Sequence, residues 1–138
     1  MNLNYPYTLT PEDGGFVVQF VDFEEAFTEG DTKEEAAFNA VEVLTGILAY
    51  RLERGEEIPE PSPAKRRPVA SPGAAVQSAI LVREAREAQG KTLADLARAL
   101  DTSWPAAQRL EQPRANPTLK QLERAAAALG KRLVIELA

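Results

Sequence analysis

Five of the chain's ten prolines fall within residues 56–72: Pro59, Pro61, Pro63, Pro68 and Pro72. Each fixes φ near about −65° and removes a backbone donor, so a helix through this stretch is ruled out and extended backbone is favoured. The 138 residues are therefore expected to form two small units, residues 1–64 and 73–138. Residues 65–72 are read as a proline-rich basic linker, within which "RPVAS" also suits a short edge strand on the first sheet.

Charge divides at the same place. Residues 1–64 hold 14 acidic and 3 basic side chains, a net of −11, and residues 65–138 hold 7 acidic and 13 basic, a net of +6. The overall −5 averages two different electrostatic objects. A basic half suits phosphate contact, and a strongly acidic half suits a basic partner. The chain has no Cys and no His, which excludes disulfides and thiolate metal sites. It also removes the side chain best suited to acid–base work near neutral pH. No cofactor or metal is expected. No apolar run approaches the roughly 18 to 20 residues that span a bilayer. "MNLNYPYTLT" lacks a basic region followed by an apolar core, so a cytoplasmic protein is expected.

The fold class expected is α+β. "LNYPYTL" alternates Leu3, Tyr5, Tyr7 and Leu9 against polar or small neighbours, the period of a half-buried strand. "PEDGG" supplies a hairpin turn at Asp13 and Gly14. "FVVQFV" resumes as a second strand with Phe16, Val18 and Phe20 on one face, and "EAFTEG" reads as a short third. In "DTKEEA", Thr32 and Glu35 have the spacing of a capping box. A long helix from Lys33 to the stop at Gly55 then places Ala37, Ala40, Val41, Leu44, Ile47, Leu48 and Leu52 on one face.

The second unit reads as helical. Ser71 and Pro72 suit the cap and first turn of a helix that ends at Gly90. Thr92 caps a helix through Leu100, and Ser103 caps another from Trp104 to about Gln112. Pro117 and Thr118 open a last helix closed by Gly130. "KRLVIELA" reads as a terminal strand with Leu133, Ile135 and Leu137 on one face.

The spacing in "LADLARALDTSWPAAQRLE" is that of a helix-turn-helix. Leu96, Ala97 and Leu100 face Ala107 and Leu110. That leaves Ser103, Trp104, Pro105, Gln108, Arg109 and Gln112 on the outer face or exposed start of the second helix, the surface a recognition helix presents to a major groove. Gln108 can pair bidentately with adenine. Arg109 suits a phosphate or a base, and Trp104 suits a thymine methyl or internal packing.

This segment resembles the Cro and lambda-repressor-like helix-turn-helix family from Thr92 to Gly130, through "LADLARAL", Ser103, "RLE" and "NPTLKQL". Two positions depart from that pattern: Asp101 where the family's turn usually has Gly, and Leu93 where a phosphate-binding Gln is common. The resemblance implies DNA binding, with Arg114 and Thr118 completing the candidate surface and the amides near Thr118 positioned for a phosphate.

For the acidic half, three readings stand side by side: a metal-dependent active site built on Asp22, Asp31 and Glu35, a small-molecule sensor, and a protein-binding module. The capping role of Glu35 and the absence of a tight acidic cluster weigh against catalysis. "YPYTLTPEDGGFVVQFVDF" followed by "TEGDTKEEAAFNAVEVL" resembles the N-terminal domain of HicB antitoxins. The loop "VDFEEAF" departs from that family, which more often has Pro before the Asp and a Pro-Gly pair after it.

The resemblance implies a partial ribonuclease H-like fold without the nuclease's active site. It also implies a small basic HicA-like ribonuclease toxin as partner, with the antitoxin repressing its own operon. The candidate toxin surface is Asp22, Glu24, Glu25 and Glu29, with Phe23 as apolar anchor. Leu133, Val134, Ile135 and Leu137 are expected to pair two chains into a homodimer that reads an inverted-repeat operator, with larger assemblies forming on the toxin. The alternative reading is a ligand-responsive transcriptional regulator with residues 1–64 as its sensor.

Overall fold

In the computed structural model, which describes residues 2–138, Asp13 (φ 48°) and Gly14 (φ 81°) turn the chain between β1 (Tyr5–Glu12) and β2 (Gly15–Phe20). Two successive positive φ values match the right-handed twist of antiparallel strands, which explains an Asp-Gly pair here. β2 then pairs antiparallel with β3 (Phe27–Gly30). Tyr5, Tyr7, Val18 and Phe20 are buried on the sheet face covered by α1 (Lys33–Glu53). The rings of Tyr7 and Phe20, directly opposed across the strands, lie 5.4 Å apart.

The helix meets the sheet along a stripe at four-residue spacing: Ala36, Ala40, Leu44, Leu48 and Leu52. The expected face also held Ala37, Val41 and Ile47, which are only half-buried. Small residues at the start of the stripe allow a tight approach to the end of β3. A Cβ on Gly30 would lie 2.4 Å from the Ala36 nitrogen, and one on Gly15 would lie 2.8 Å from the Gly30 oxygen. Both positions admit only glycine. Thr32 caps the helix by accepting from the Glu35 amide at 3.0 Å. The reciprocal arm of the expected capping box is not made, and Glu35 stays in solvent.

The proline-rich stretch is not a free linker. The Tyr5 hydroxyl donates to the Pro59 carbonyl at 2.6 Å, Ile58 and Pro72 are buried, and Ser62 donates its amide and hydroxyl to Asp22. β4 (Val69–Ala70) pairs antiparallel with β1 at Pro6 and Tyr5, giving the order β3-β2-β1-β4. The extended backbone that proline enforces is thus used as the rim of the first sheet. The Ser71 hydroxyl donates to Asn4 instead of capping the next helix.

Two compact units result, Met1–Ala74 and Ala75–Ala138. The first takes in the segment expected as linker, including Lys65, Arg66 and Arg67. Counted at this boundary, the first unit holds 14 acidic and 6 basic residues, net −8, and the second 7 and 10, net +3. The charge contrast survives at smaller size.

The second unit is built from α2 (Ala74–Ala88), α3 (Leu93–Ala99), α4 (Trp104–Arg109), a 3-10 turn (Pro113–Ala115) and α5 (Leu119–Ala128). Its core is Val82, Leu96, Ala97, Ala107, Leu110, Leu122, Ala125 and Leu129. α4 ends earlier than expected, because Pro113 cannot continue it and opens the 3-10 turn instead. The expected terminal strand is not formed: residues 131–138 make no ladder with any of the described residues. A strand needs a neighbour for its backbone groups, and the second unit holds no other strand among its described residues.

Candidate nucleic-acid and protein interfaces

The turn between α3 and α4 shows how the sequence sets the helix-turn-helix angle. Thr92 accepts from the Asp95 amide at 3.1 Å, and the Asp95 carboxylate accepts from the Thr92 amide at 2.8 Å, a complete capping box. At the other end Thr102 donates to the Ala97 carbonyl at 2.9 Å and Asp101 to that of Arg98 at 3.1 Å. This paired pattern requires a left-handed residue after the helix. Asp101 provides it with φ 52°, one of the few non-glycine types that tolerate that region. Ser103 then caps α4, its hydroxyl accepting from the Ala106 amide at 3.2 Å.

With Ala107 and Leu110 buried, Trp104, Pro105 and Arg109 project outward from α4, while Gln108 and Gln112 are half-buried at its flank. Trp104 is 48% exposed and outside the core cluster, so its ring is open on one side. Arg114 is exposed on the 3-10 turn. Thr118 and Gln121 form a second complete capping box, so the Thr118 amide is taken by Gln121. The following amides of Leu119 and Lys120 are the ones in the first turn of α5 without an intrahelical acceptor. Of the residues expected to meet DNA, Ser103 and Thr118 are engaged in capping.

The acidic surface differs more from expectation. Phe23 is 1% exposed, its ring tilted against that of Tyr5 with centroids 5.2 Å apart and the Arg51 guanidinium 4.9 Å over it. A side chain held inside its own core cannot anchor a partner, so Phe23 leaves the surface. Asp22 is half-buried and accepts from Ser62, which makes it a loop clamp. Glu25 pairs with Arg51 at 3.2 Å. Glu24 and Glu29 remain exposed and form no ion pair among the described residues.

Gln19 was missed as an organising residue. Its side-chain amide lies 3.0 Å from the carbonyls of Phe20 and Phe23 and 3.3 Å from those of Glu24 and Ala26, and it gathers the loop onto β2. Nothing local in the sequence marks it. Phe27 was also missed. It is 63% exposed on β3, opposite Gln19 and on the same side as Glu29. The alternation of "AFTEG" was the available signal.

At the C-terminus, Leu133 packs against the core of the second unit, while Val134, Ile135 and Leu137 are exposed at 71%, 63% and 98%. Leu133 thus serves its own chain. The other three are the apolar side chains left open.

These features define a two-unit protein in which an acidic sheet-and-helix domain precedes a helix-turn-helix DNA-binding domain. Residues 4–70 match the family described as HicB_like antitoxin of bacterial toxin-antitoxin system, and residues 82–135 match Helix-turn-helix. The chain is 32% identical over 137 residues to Antitoxin HicB 1 of Photorhabdus laumondii, covering 99% of this chain and 88% of the relative. It is 31% identical over 132 residues to Antitoxin HicB 2 of the same organism, covering 96% and 94%. Antitoxin HicB of Escherichia coli K12 shares 45% identity over 62 residues, 44% of this chain and 45% of that protein. The chain belongs to the HicB antitoxin family. No helix among the described residues is long and apolar enough to cross a membrane.

Proposed function

We propose that this chain is the antitoxin of a type II toxin–antitoxin pair: its first unit binds and masks a basic HicA-like ribonuclease, and its second represses the operon encoding both. The observation that carries the reading is the joining of a net −8 unit to a net +3 helix-turn-helix unit within a chain of this family. An RNA-cleaving toxin must grip phosphates and is therefore basic, so long-range attraction to the acidic unit speeds their encounter. On the second unit, Trp104, Pro105, Gln108, Arg109, Gln112 and Arg114 meet DNA, with Ser103 and Thr118 setting the helix starts. Two chains pair through Val134, Ile135 and Leu137, which supplies the strand neighbour that a single chain lacks.

The test is co-expression with the small basic protein encoded beside the gene. The reading expects co-purification, suppression of RNA cleavage, and repression of a reporter driven by the operon's own promoter. A neighbour that cleaves RNA equally with and without this chain removes the masking role. An unrepressed promoter removes the regulatory one.

A further inference from the structure

β3 and the two-residue β4 are the edge strands of the first sheet, and the backbone directions of β3 can be assigned. The Phe20 amide donates to the Ala26 carbonyl, and the Gly30 oxygen points at Gly15. Alternation along an antiparallel strand then turns the N–H and C=O groups of Phe27 and Glu29 away from β2. The Glu29 carbonyl agrees, since it accepts from the Asn39 side chain at 2.8 Å. One outward group is therefore occupied. The Phe27 N–H, the Phe27 C=O and the Glu29 N–H have no acceptor or donor among the described residues.

The surroundings of this edge select a partner. Asn39 and Arg51 of α1 both reach to the β3 side, the first to Glu29 and the second to Glu25. Val43 and Ile47 fall between them at four-residue spacing, so they line the same side of the helix, and both are half-buried. The exposed Phe27 ring stands on the outer face of the strand. Residues 24–35 carry six acidic side chains and one lysine. The site thus offers three main-chain groups, an apolar strip, an aromatic ring and a strongly negative rim.

We infer that the β3 edge is the docking line for the basic partner, which adds an extended strand against Phe27 and Glu29 with Phe27 as the apolar anchor. This rests on the masking role proposed above and moves its centre from the Asp22–Glu25 loop to the strand that follows. Main-chain pairing supplies the register, and the acidic rim selects a positively charged strand over a neutral one.

The experiment is amide hydrogen exchange on the full-length chain, alone and with the neighbouring basic protein carrying a substituted catalytic residue. The Phe27 and Glu29 amides should exchange readily in the free chain and slow by about tenfold or more in the complex. Phe27→Pro removes one outward donor and no ladder bond, a change that edge strands accommodate. It should raise Kd by about tenfold or more, as should Phe27→Ala, which keeps the donor but loses the ring. Binding with unchanged exchange at both amides overturns the edge assignment, even if the proline variant misfolds. Binding of Phe27→Ala at wild-type affinity overturns the anchor. No binding by the unmodified chain overturns the masking role itself, and this surface with it.

Discussion

The Arg86 guanidinium donates two hydrogen bonds to the Glu111 carboxylate, with Nε 2.7 Å from Oε2 and Nη2 3.0 Å from Oε1. Both side chains are largely shielded from solvent, and the third arm of Arg86 donates to the Lys91 carbonyl at 2.8 Å. This joins α2 to the chain just after α4 and to the turn before α3, so one guanidinium fixes three segments of the DNA-binding unit. The planar fork of Arg matches a carboxylate in a way Lys cannot.

Removing one partner strands a buried charge. Arg86→Met should cost the second unit about 3 kcal/mol or more, and the Arg86→Met/Glu111→Leu pair should recover most of it. Trp104 is the only tryptophan and lies in this unit, so its fluorescence in a urea titration reports the change locally. A single variant as stable as the parent would show that the pair contributes little.

Gly30→Ala should disrupt the first unit. The added carbon would sit 2.4 Å from a helix nitrogen, and backbone on both sides leaves nothing to rotate away. A loss on the order of 3 kcal/mol is expected, typical of overpacking at a rigid contact. Far-ultraviolet circular dichroism during thermal unfolding measures it, and a melting temperature within a degree or so of the parent would contradict the close approach.

Gln108→Ala should weaken operator binding by about 1 to 3 kcal/mol while leaving random DNA almost unaffected. Titrations of both DNAs at one salt concentration provide the comparison. Equal losses on the two would show that Gln108 does not read sequence.

Deleting residues 132–138 should yield a monomer that has lost operator affinity yet still binds the toxin through the first unit. If paired chains place two recognition helices about 34 Å apart, the operator is an inverted repeat spaced by one helical turn or a multiple of it. Sedimentation of the truncated chain is decisive for the segment: a persistent dimer would exclude it.

The Asp95 carboxyl is held below its ordinary 3.8, first by the Thr92 amide, then by the Thr92 hydroxyl and Arg98. A depressed folded value means that the contribution is fully present above about pH 4 and is lost as pH falls through the folded value. The start of α3 should therefore fray only in acid. A carbon-detected titration of Asp95, with Asp95→Asn as the non-titrating control, checks it; a midpoint at or above 3.8 would contradict the cap.

Local chemistry made much of this protein legible in its sequence. Asp13 and Gly14 specify the hairpin, Thr92, Ser103 and Thr118 start their helices, and Asp101 takes the left-handed position between α3 and α4. Each of these depends on residues a few positions apart, whose conformational preferences act before any distant contact forms. The inward face of the helix-turn-helix, Leu96, Ala97, Ala107 and Leu110, was legible because its spacing fixes which residues meet the core.

Tertiary structure decided what depends on distant partners. Phe23 and Phe27 are both aromatic and only four residues apart, yet Tyr5 and Arg51 enclose the first and leave the second exposed. The prolines in residues 56–72 do exclude helix, but only the approach of β1, the Tyr5 hydroxyl and Asp22 makes that stretch part of a sheet unit. Extended backbone states what a segment cannot form by itself. Whether it becomes linker or edge strand depends on a neighbour that supplies its hydrogen bonds, and that neighbour lies more than 50 residues away in the chain.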